Sequence, residues 1–322
     1  MAGLRGQVAV RPAQPGDAPA LVELRAVVHP YLVRSPAATA RLLAQPAPGE
    51  DRLDLVAMVD GSIVGTATAR RNTSSSEAGV GALALHVHPG HRRRGIGTTL
   101  LEAAGHHLAT IGVRRVQVIV APGAEPFARH HGYTPQRTAH FSALDLRPDR
   151  PRPAVPEGVV LAPLHQLDDE ALYRAHVVAA SDEPGPVPAD ALSFETWRHT
   201  IRDDPDLDEH LSTVALAGGR IVAFTLVSRD RHRIWSDMTA TVPQRRGRGL
   251  ALLVKGLALS RAATGGAAVA YTANDETNAP MLAVNRRLGY RTVASELVCL
   301  GSIDPPMGGA VPGDGPARPV GG

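Results

Sequence analysis

The sequence of 322 residues is poor in several residue types, and each scarcity excludes a class of protein. Its only cysteine, Cys299, can form neither an intrachain disulfide nor a zinc site made of several cysteines; a small buried residue on a late strand is its simplest interpretation. Aromatic residues make up 3%, so the cores must consist mainly of Leu, Val, Ala and Ile. No apolar run approaches the ~20 residues of a membrane span, and the N-terminus lacks a signal-peptide core. These absences predict a cytoplasmic protein without a membrane partner.

Charge of one sign is also scarce, because 34 basic and 31 acidic residues leave a formal net charge of only +3. Lys255 is the single lysine, so the other 33 basic residues are arginines, a bias typical of GC-rich coding in a chain with 32 glycines and 27 prolines. The number of arginines alone is therefore no sign of nucleic-acid binding, which is typically marked by a dense basic patch. We predict that the protein has no nucleic-acid partner.

The length predicts two domains, at about 100–200 residues for each. The clearest break lies at residues 147–158, where four prolines and alternating charges favour an extended linker over a helix or a central strand. Residues 302–322 are rich in Gly and Pro and are predicted to form a disordered tail. The predicted domains are therefore residues 1–146 and residues 159–301.

The two predicted domains share landmarks in the same order, which indicates a tandem duplication. An Arg- and Gly-rich segment precedes an apolar run in each, and its proline, first motif arginine and central glycine recur at an offset of 154 residues. A Gly-Tyr pair follows later in both. The matched landmarks are Pro89 and Pro243, Arg92 and Arg246, Gly95 and Gly249, and Gly132-Tyr133 and Gly289-Tyr290.

Hydrophobic periodicity and turn signals predict the same mixed order of strands and helices in both halves. The first half has predicted strands at 7–11, 55–59, 62–70, 81–87 and 116–120, and helices at 15–28, 95–110 and 125–131. The second has predicted strands at 213–217, 220–227, 233–241 and 267–272, and helices at 248–263 and 279–288. This order predicts an α/β (α+β) fold in which each unit is a mostly antiparallel twisted sheet flanked by helices.

The Arg- and Gly-rich segments carry the clearest chemical signal. Glycines at a helix start let a ligand approach the backbone, where unbonded N–H groups and the helix dipole favour an anion. The flanking arginines can form paired hydrogen bonds with phosphate oxygens. A single such segment is adequately explained as a turn with solvated arginines. Two copies in matching contexts predict a diphosphate site in each half.

These segments resemble the acetyl-CoA diphosphate loop of the GNAT family of N-acetyltransferases, whose pattern is Arg/Gln-x-x-Gly-x-Gly/Ala. The resemblance covers about residues 7–146 and 159–300, and within these ranges the segments Phe127–Tyr133 and 271–290 make it more specific. The segment 271–290 is rich in asparagine, and this form of the segment points away from mycothiol synthase, a member of the family that also has two domains in tandem. The resemblance implies acetyl-CoA as acyl donor. The cofactor-binding residues that it implies are Thr241, Arg246, Gly247, Arg248, Gly249, Leu250, Ala251, Asn274 and Asn278, and, in the first half, Val87, Arg92, Arg93, Arg94, Gly95, Ile96 and Gly97.

The resemblance also implies a splayed pair of central strands in each half and a base for the attacking amine. Asp237, four residues before Thr241, is the candidate base, and an ordinary carboxylate at a sheet edge is its alternative. His86 and His88 hold comparable positions in the first half and are better explained as structural histidines. Where many family members place a tyrosine that protonates the leaving thiolate, this chain has Ala128 and Asn285. Asn285 can hydrogen-bond the thioester but is no acid, so solvent or a nearby tyrosine such as Tyr271 or Tyr290 would have to supply the proton.

We therefore expect the second half to be catalytic, and the first half to bind cofactor, to be structural or to be degenerate. The expected reaction is direct acetyl transfer to a primary amine of a small molecule, such as a natural product, an antibiotic, an amino sugar or an amino acid. No covalent nucleophile and no metal site are predicted. The alternatives are an acyl-CoA sensor or scaffold, and a protein-lysine acetyltransferase. The protein is expected to be a monomer or a homodimer.

Two further features allow more than one interpretation. The segment Asp182-Glu183-Pro184 is either an acidic rim suited to a cationic amine or a solvated loop. Lys255, one turn into the helix after the second loop, could contact a CoA phosphate. A solvated helix lysine is its simpler interpretation.

Overall fold

Residues 8–303 are described by a computed structural model, and they form one mixed sheet with helices packed against it. The strands are, in chain order, β1 (Ala9–Pro12), β2 (Leu53–Val59), β3 (Ser62–Arg71), β4 (Val80–Val87), β5 (Arg115–Val120), β6 (Thr134–Asp145), β7 (Val160–Pro163), β8 (Thr213–Ala217), β9 (Arg220–Asp230), β10 (Arg233–Thr241), β11 (Val269–Asp275) and β12 (Arg291–Ser302). The helices are α1 (Ala18–Val28), α2 (Pro36–Ala44), α3 (Ile96–Thr110), α4 (Glu125–His130), α5 (Asp169–Ala180), α6 (Phe194–Trp197), α7 (Leu250–Thr264) and α8 (Ala279–Leu288).

The sheet runs in the order β1-β2-β3-β4-β5-β12-β6-β11-β10-β9-β8-β7. Only β4–β5 and β10–β11 are parallel pairs among the described strands, and all other neighbours are antiparallel. The expected α/β (α+β) fold of two mostly antiparallel units is therefore confirmed. We call the residues up to 146 the first half and those from 159 onward the second half. Between them, residues 147–158 form neither a helix nor a strand.

The two halves exchange their last strands at the centre of the sheet. Strand β6 of the first half pairs with β11 of the second, and β12 of the second pairs with β5 of the first. The two exchanged strands also pair with each other along most of their lengths. Cys299 lies fully buried on β12, as its sequence context predicts. Ser302 is the last residue of β12, and the rest of the predicted tail lies outside the described residues.

Tight turns fix the hairpins that the sequence predicts. Asp60 and Gly61 adopt φ values of 50° and 78°, so both are left-handed, as in the two-residue turn that matches the twist of β2 and β3. Gly218 and Gly219 do the same between β8 and β9, with φ values of 57° and 74°. The predicted central helices are also present, as α3 and α7.

Separate apolar clusters hold each half together. In the first half, the inner face of α3 packs on β2 to β5 through residues such as Leu100 and Leu108. In the second half, α7 is buried on nearly all sides, between one cluster that includes Leu259 and another that includes Val254. A third cluster lies beneath α5 around Trp197 and Phe224.

The segment before β8 is more ordered than its polar composition predicts. Asp168 caps α5 by accepting a hydrogen bond from the Ala171 N–H at 2.9 Å, and Leu172, His176 and Ala180 recur every four residues on its buried face. Both the cap and the spacing are visible in the sequence. Helix α5 leads into the loop that contains Asp182, and this loop borders a cavity in the second half.

Candidate active site

A cavity of about 1170 Å³ lies in the second half and extends from the glycine loop before α7 to the ends of β10 and β11. Its wall includes Arg34 of the first half, from the segment between α1 and α2. Nine of the predicted site residues line it, namely Asp237, Thr241, Arg246, Gly247, Gly249, Leu250, Ala251, Asn274 and Asn278.

The cavity opens where two parallel strands separate. Strands β10 and β11 pair only from Arg233–Val269 to Trp235–Tyr271, although both continue beyond. The first half has a corresponding splay, because β4 and β5 pair only from Val80–Arg115 to Leu83–Val118. The splayed strands implied by the resemblance are thus present in both halves.

A bulge distinguishes the splay of the second half. The register of β10 against β9 shifts between Ser236 and Thr239, so that an extra residue is inserted there. The corresponding pair β3–β4 keeps one register from Gly65–Val87 to Arg71–Gly81. A bulge changes the direction in which nearby side chains point. It also leaves a backbone group without a partner in the ladder of hydrogen bonds between the two strands. In the second half this irregularity contains Asp237.

The glycine loop before α7 presents its backbone to the cavity. Gly247 and Gly249 are left-handed, with φ values of 75° and 74°, and a Cβ added at either position would meet no atom within 4 Å. The Leu253 N–H is bonded to the Gly249 carbonyl at 3.0 Å, so the N–H groups of residues 250–252 precede the first intrahelical bond. This open, donor-rich cradle fits a diphosphate.

The first half keeps the same loop shape with a different residue. Arg93, at the position of Gly247, has φ of 62°, and Gly95, at the position of Gly249, has φ of 84°. A left-handed arginine costs about 1–3 kcal/mol of backbone strain. Gly95, like its counterpart, has no atom within 4 Å of an added Cβ. The loop conformation is therefore common to both halves.

The first motif arginine is anchored in the same way in both halves. Arg246 Nε donates to the Thr241 carbonyl at 3.2 Å, and Arg92 Nε donates to the Val87 carbonyl at 3.1 Å. Arg246 also forms an ion pair with Asp182, with Nη2 and Oδ2 2.5 Å apart. Both partners of that pair are about half exposed, so it is weak enough to exchange for a phosphate.

Asp237 is exposed in the wall of the cavity, and the protein around that wall partly removes its carboxyl group from bulk water. Burial raises the pKa of its carboxyl to about 7, and the nearby carboxylates of Asp204 and Asp206 act in the same direction. The Ser228 hydroxyl donates to Oδ2 at 2.5 Å, and this bond opposes the rise. A carboxyl group with this pKa can accept and release a proton near neutral pH.

Lys255 does not lie in solvent, so the expectation of a solvated helix lysine is wrong. Its side chain is buried beneath the cavity, where Nζ donates to Asn285 Oδ1 at 2.8 Å and to Thr272 Oγ1 at 3.3 Å. Nζ also lies 5.0 Å from the centroid of the Tyr290 ring. Burial lowers the pKa of the ammonium group to about 7. The signal in the sequence was the apolar run on both sides of Lys255, which is typical of a helix buried all round.

Hydrogen bonds connect this lysine to both splayed strands. Thr272 Oγ1 on β11 donates to the carbonyl oxygen of Ser236 on β10 at 3.0 Å. Asn285 Nδ2 on α8 donates to Asn274 Oδ1 at 2.6 Å. Lys255, Thr272, Asn274, Asn285 and Ser236 thus form a polar cluster at the point where the strands part. We refer to these five residues as the splay cluster.

The cavity is acidic at the end away from the glycine loop. Asp204 pairs with Arg34 at 2.6 Å, whereas Glu183 and Asp237 have no cationic partner within 4 Å among residues 8–303. Burial, together with the charge of Asp275, raises the pKa of Glu183. Two carboxylates without a cation provide a favourable environment for a positively charged group.

The remaining predicted residues are placed elsewhere. Arg248 is exposed outside the cavity lining, and Asn285 lies behind the lining as a member of the splay cluster. In the first half, Arg92, Arg93 and Arg94 are exposed, Ile96 is buried, and Val87 and Gly97 are half-buried. Thr272 was not among the predicted site residues, although it begins the Thr-x-Asn part of the segment 271–290. The approach of Arg34 to the second half was also missed, and it follows from no motif.

The corresponding region of the first half contains aromatic and histidine side chains. The Phe127 ring lies 3.4 Å from where a Cβ of Gly97 would be, and it contacts His131. His86 packs against the ring of His29. Nδ1 of His29 lies 2.9 Å from Oε1 of the buried Glu296, and the Tyr31 hydroxyl donates a hydrogen bond to the same carboxylate. Burial lowers the pKa of His86 to about 3, so its imidazole is neutral near pH 7. His88 accepts from the Gly90 N–H at 3.2 Å, a local structural role.

No group of three or more metal-ligating side chains is found within residues 8–303. Among the helices described there, none has the length and apolar character needed to cross a bilayer.

Comparisons with known proteins agree with this architecture. The profile of the Acetyltransferase (GNAT) family matches residues 20–133. The mycothiol acetyltransferase of Streptomyces bingchenggensis is 29% identical over 237 residues, which cover 67% of this chain and 71% of the relative. That of Saccharomonospora viridis is also 29% identical, over 66% of this chain and 72% of the relative.

Solved structures share the complete fold at low identity. A tandem GNAT protein from the clavulanic acid biosynthesis pathway superposes with a TM-score of 0.73, at 22% identity, over 93% of this chain and all of the other. An N-acetyltransferase of the family from Sphaerobacter thermophilus gives 0.68, at 23% identity, over 92% and 96% of the two chains. These matches indicate an acetyltransferase of GNAT type, because residues 20–133 match the family profile and the chain shares the fold of a tandem GNAT protein over 93% of its length.

Proposed function

We propose that the second half is the catalytic one, and that it transfers an acetyl group from acetyl-CoA to a primary amine of a small molecule. The observation that carries this proposal is the single cavity wall shared by the glycine loop and Asp237. A diphosphate-binding cradle and a titratable carboxylate thus lie at opposite ends of one space. We retain residues 1–146 and 159–301 as the two units, with β6 and β12 exchanged between them.

The residues around the glycine loop fit the diphosphate of acetyl-CoA. The N–H groups of residues 250–252 would bind its oxygens, and Arg246 would leave Asp182 to add a charge-assisted hydrogen bond. Asn274 and Asn278 line the same cavity and supply amide groups for the pantetheine arm. When bound, acetyl-CoA supplies an acetyl group activated as a thioester.

Asp237 is suited to act as the base for the acceptor. A protonated amine placed near Oδ1 would be attracted by Asp237 and Glu183, and Asp237 would then take up its proton. The bulge beside Asp237 leaves a backbone N–H of β10 outside the ladder, where it can hold the acetyl carbonyl oxygen. The relatives named mycothiol acetyltransferases support a small-molecule acceptor, although an identity of 29% does not transfer their substrate to this chain.

A panel of small-molecule amines tests this proposal. We expect thiol release from acetyl-CoA with at least one amine, and loss of that release in Asp237→Asn at unchanged acetyl-CoA affinity. Tight acetyl-CoA binding without release on any amine would favour a sensor or scaffold instead. Release only with lysine-containing peptides would favour a protein acetyltransferase.

A further inference from the structure

Lys255 is the only lysine of the chain, and it occupies the least favourable place for an ammonium group. Its side chain is 1% exposed and lies beneath the cavity on α7. All 33 other basic residues are arginines, whose guanidinium groups cannot lose a proton near neutral pH. Apart from the histidines, Lys255 is thus the one basic side chain of the chain that is able to release a proton near neutral pH, and it is buried at the candidate site.

The contacts of Lys255 do not explain it as a structural residue. No carboxylate lies within 4 Å of Nζ in the part of the chain that the structure describes, and its neighbours are the neutral groups of Thr272, Asn285 and Tyr290. Burying an ammonium group without a counter-charge is unfavourable. The corresponding residue of the first half is Leu101, which packs in the apolar cluster there. A leucine is therefore sufficient for the packing of this helix.

The second half has no tyrosine at the position where the resemblance places the proton donor for the leaving thiolate, and the position of Lys255 Nζ suits that function. Asn285 stands where the resemblance places a proton-donating tyrosine, but an amide is no acid. Asn285 does not line the cavity, whereas Lys255, bonded to its Oδ1, does. The splay cluster thus holds an ammonium group at the wall of the cavity, next to the asparagine that replaces the tyrosine.

We propose that Lys255 is a catalytic residue that protonates the leaving thiolate of the second site, an inference that rests on the proposed function. As the bond from the acceptor nitrogen to the acetyl carbon forms and the carbon–sulfur bond breaks, Lys255 Nζ gives one proton to the sulfur, which keeps the electron pair of the broken bond. Asp237 takes up the proton that the acceptor nitrogen loses. Both side chains then exchange one proton with water, so acetylation of the neutral amine involves no net gain or loss of protons. The proton that a cationic amine gives up beforehand passes through Asp237 to water.

The acidity of the group supports this assignment. Burial lowers the pKa of Lys255 to about 7, below the ~8.5 of an ordinary thiol, so transfer to a thiolate is downhill. Thr272 and Asn285 accept hydrogen bonds from Nζ and so fix its direction. No hydrogen bond or ion pair joins Nζ to a charged side chain of α8, β11 or α7 within the described residues.

A leaving-group comparison tests the proposal. Lys255→Met and Lys255→Arg are assayed with acetyl-CoA and with acetyl-seleno-CoA, whose selenolate leaves without a proton near pH 7. We expect a loss of about 100-fold or more with acetyl-CoA and of less than about 10-fold with the selenoester, at unchanged affinity for both donors. Leu101→Met is the matched control and retains wild-type rates. Equal losses with both donors, or no loss with either, would overturn the proposal.

A second readout is independent of any acceptor amine. Because the chain has one lysine, protein with carbon-13 at lysine Cε gives a single side-chain signal in nuclear magnetic resonance spectra. We expect its titration midpoint to lie near 7 and to rise when CoA is bound, but not when desulfo-CoA is bound. A midpoint near the ordinary ~10.4, or equal responses to both ligands, would overturn the proposal. The expected response in a protein that acetylates no amine would instead refute the proposed function and leave Lys255 beside the sulfur.

Discussion

The two halves of this chain share a loop but differ in what lies behind it. The family profile matches residues 20–133, entirely within the first half, whereas the cavity of about 1170 Å³ lies in the second. The match to the family profile and the cavity are thus found in different copies of the same unit. Because both halves have a glycine loop of the same shape, the loop alone does not identify the half that would carry out acetyl transfer.

The common part is the backbone of the loop. Positions 93 and 247 are both left-handed, as are positions 95 and 249, although only the second half has glycine at both. The first half retains the conformation with Arg93 at a cost of about 1–3 kcal/mol. Retention at this cost indicates that the surrounding strand and helix impose the loop conformation, independently of whether a ligand binds.

The parts that differ are the side chains behind the loop. Lys255 and Asn285 of the second half correspond to Leu101 and Ala128 of the first, and the cavity-lining Val284 corresponds to Phe127. The first half also lacks the strand bulge that contains Asp237. The side-chain differences replace a polar group by an apolar one or a small side chain by a larger one, and each of them can be tested by substitution.

The largest expected effect is that of Gly249→Val. The substitution combines a strained left-handed φ of 74° with a side chain that fills the open cradle, so acetyl-CoA affinity should fall by at least about 100-fold, or about 2.7 kcal/mol. Titration calorimetry measures this loss. Gly95→Val imposes the same strain at φ of 84° and should lower the melting temperature while turnover persists. Loss of turnover in Gly95→Val alone would assign catalysis to the first half.

Asp237→Asn should reduce the rate by about 10²- to 10⁴-fold, because the amide cannot take up the proton of the acceptor. The carboxylate is the active form, and its pKa is raised to about 7, so the wild-type rate should rise with pH up to about 7. The variant should lack this rising limb. In Ser228→Ala the limb should move to higher pH, because the hydrogen bond that lowers the pKa of Asp237 is removed. A pH profile that is the same in all three proteins would exclude Asp237 as the base.

Arg246→Ala should weaken acetyl-CoA binding by about 10-fold, the effect of one hydrogen bond to a charged group. Arg92→Ala removes the corresponding residue of the first half and should leave the affinity unchanged. Asp182→Ala should tighten binding slightly, because Arg246 is then free of its ion pair. Equal weakening by the two arginine substitutions would mean that both loops bind the cofactor.

The smallest effect is expected from Phe127→Val, which introduces a residue of the size found at Val284. Removal of the ring beside Gly97 should open the first half, so that calorimetry detects a second, weaker acetyl-CoA site per chain. Wild-type protein should bind one acetyl-CoA. A stoichiometry of two in the wild type would show that the first half is already open.

The sequence was sufficient for the hairpins, the central helices α3 and α7 and the glycine loops, whereas β6, β7, α2 and α5 were not among the predicted elements. Asp60-Gly61 is a local turn signal, and the loop glycines act through their own backbone, so neither depends on distant residues. The exchange of β6 and β12 could not be predicted from the sequence. Each strand would bury the same alternating side chains whether it paired within its own half or with a strand of the other half. Arg34 reaches the cavity through the packing of the halves, which no local pattern encodes. The position of Lys255 was encoded in its apolar surroundings but was misinterpreted, because lysine is so rarely buried.

A crystal structure with acetyl-CoA tests the central claim, that the acetyl-transfer site lies in the second half. We expect the diphosphate to lie over residues 247–250 and the thioester sulfur to lie within hydrogen-bonding distance of Lys255 Nζ. Acetyl-CoA bound only over residues 93–96, with the second loop empty, would contradict it.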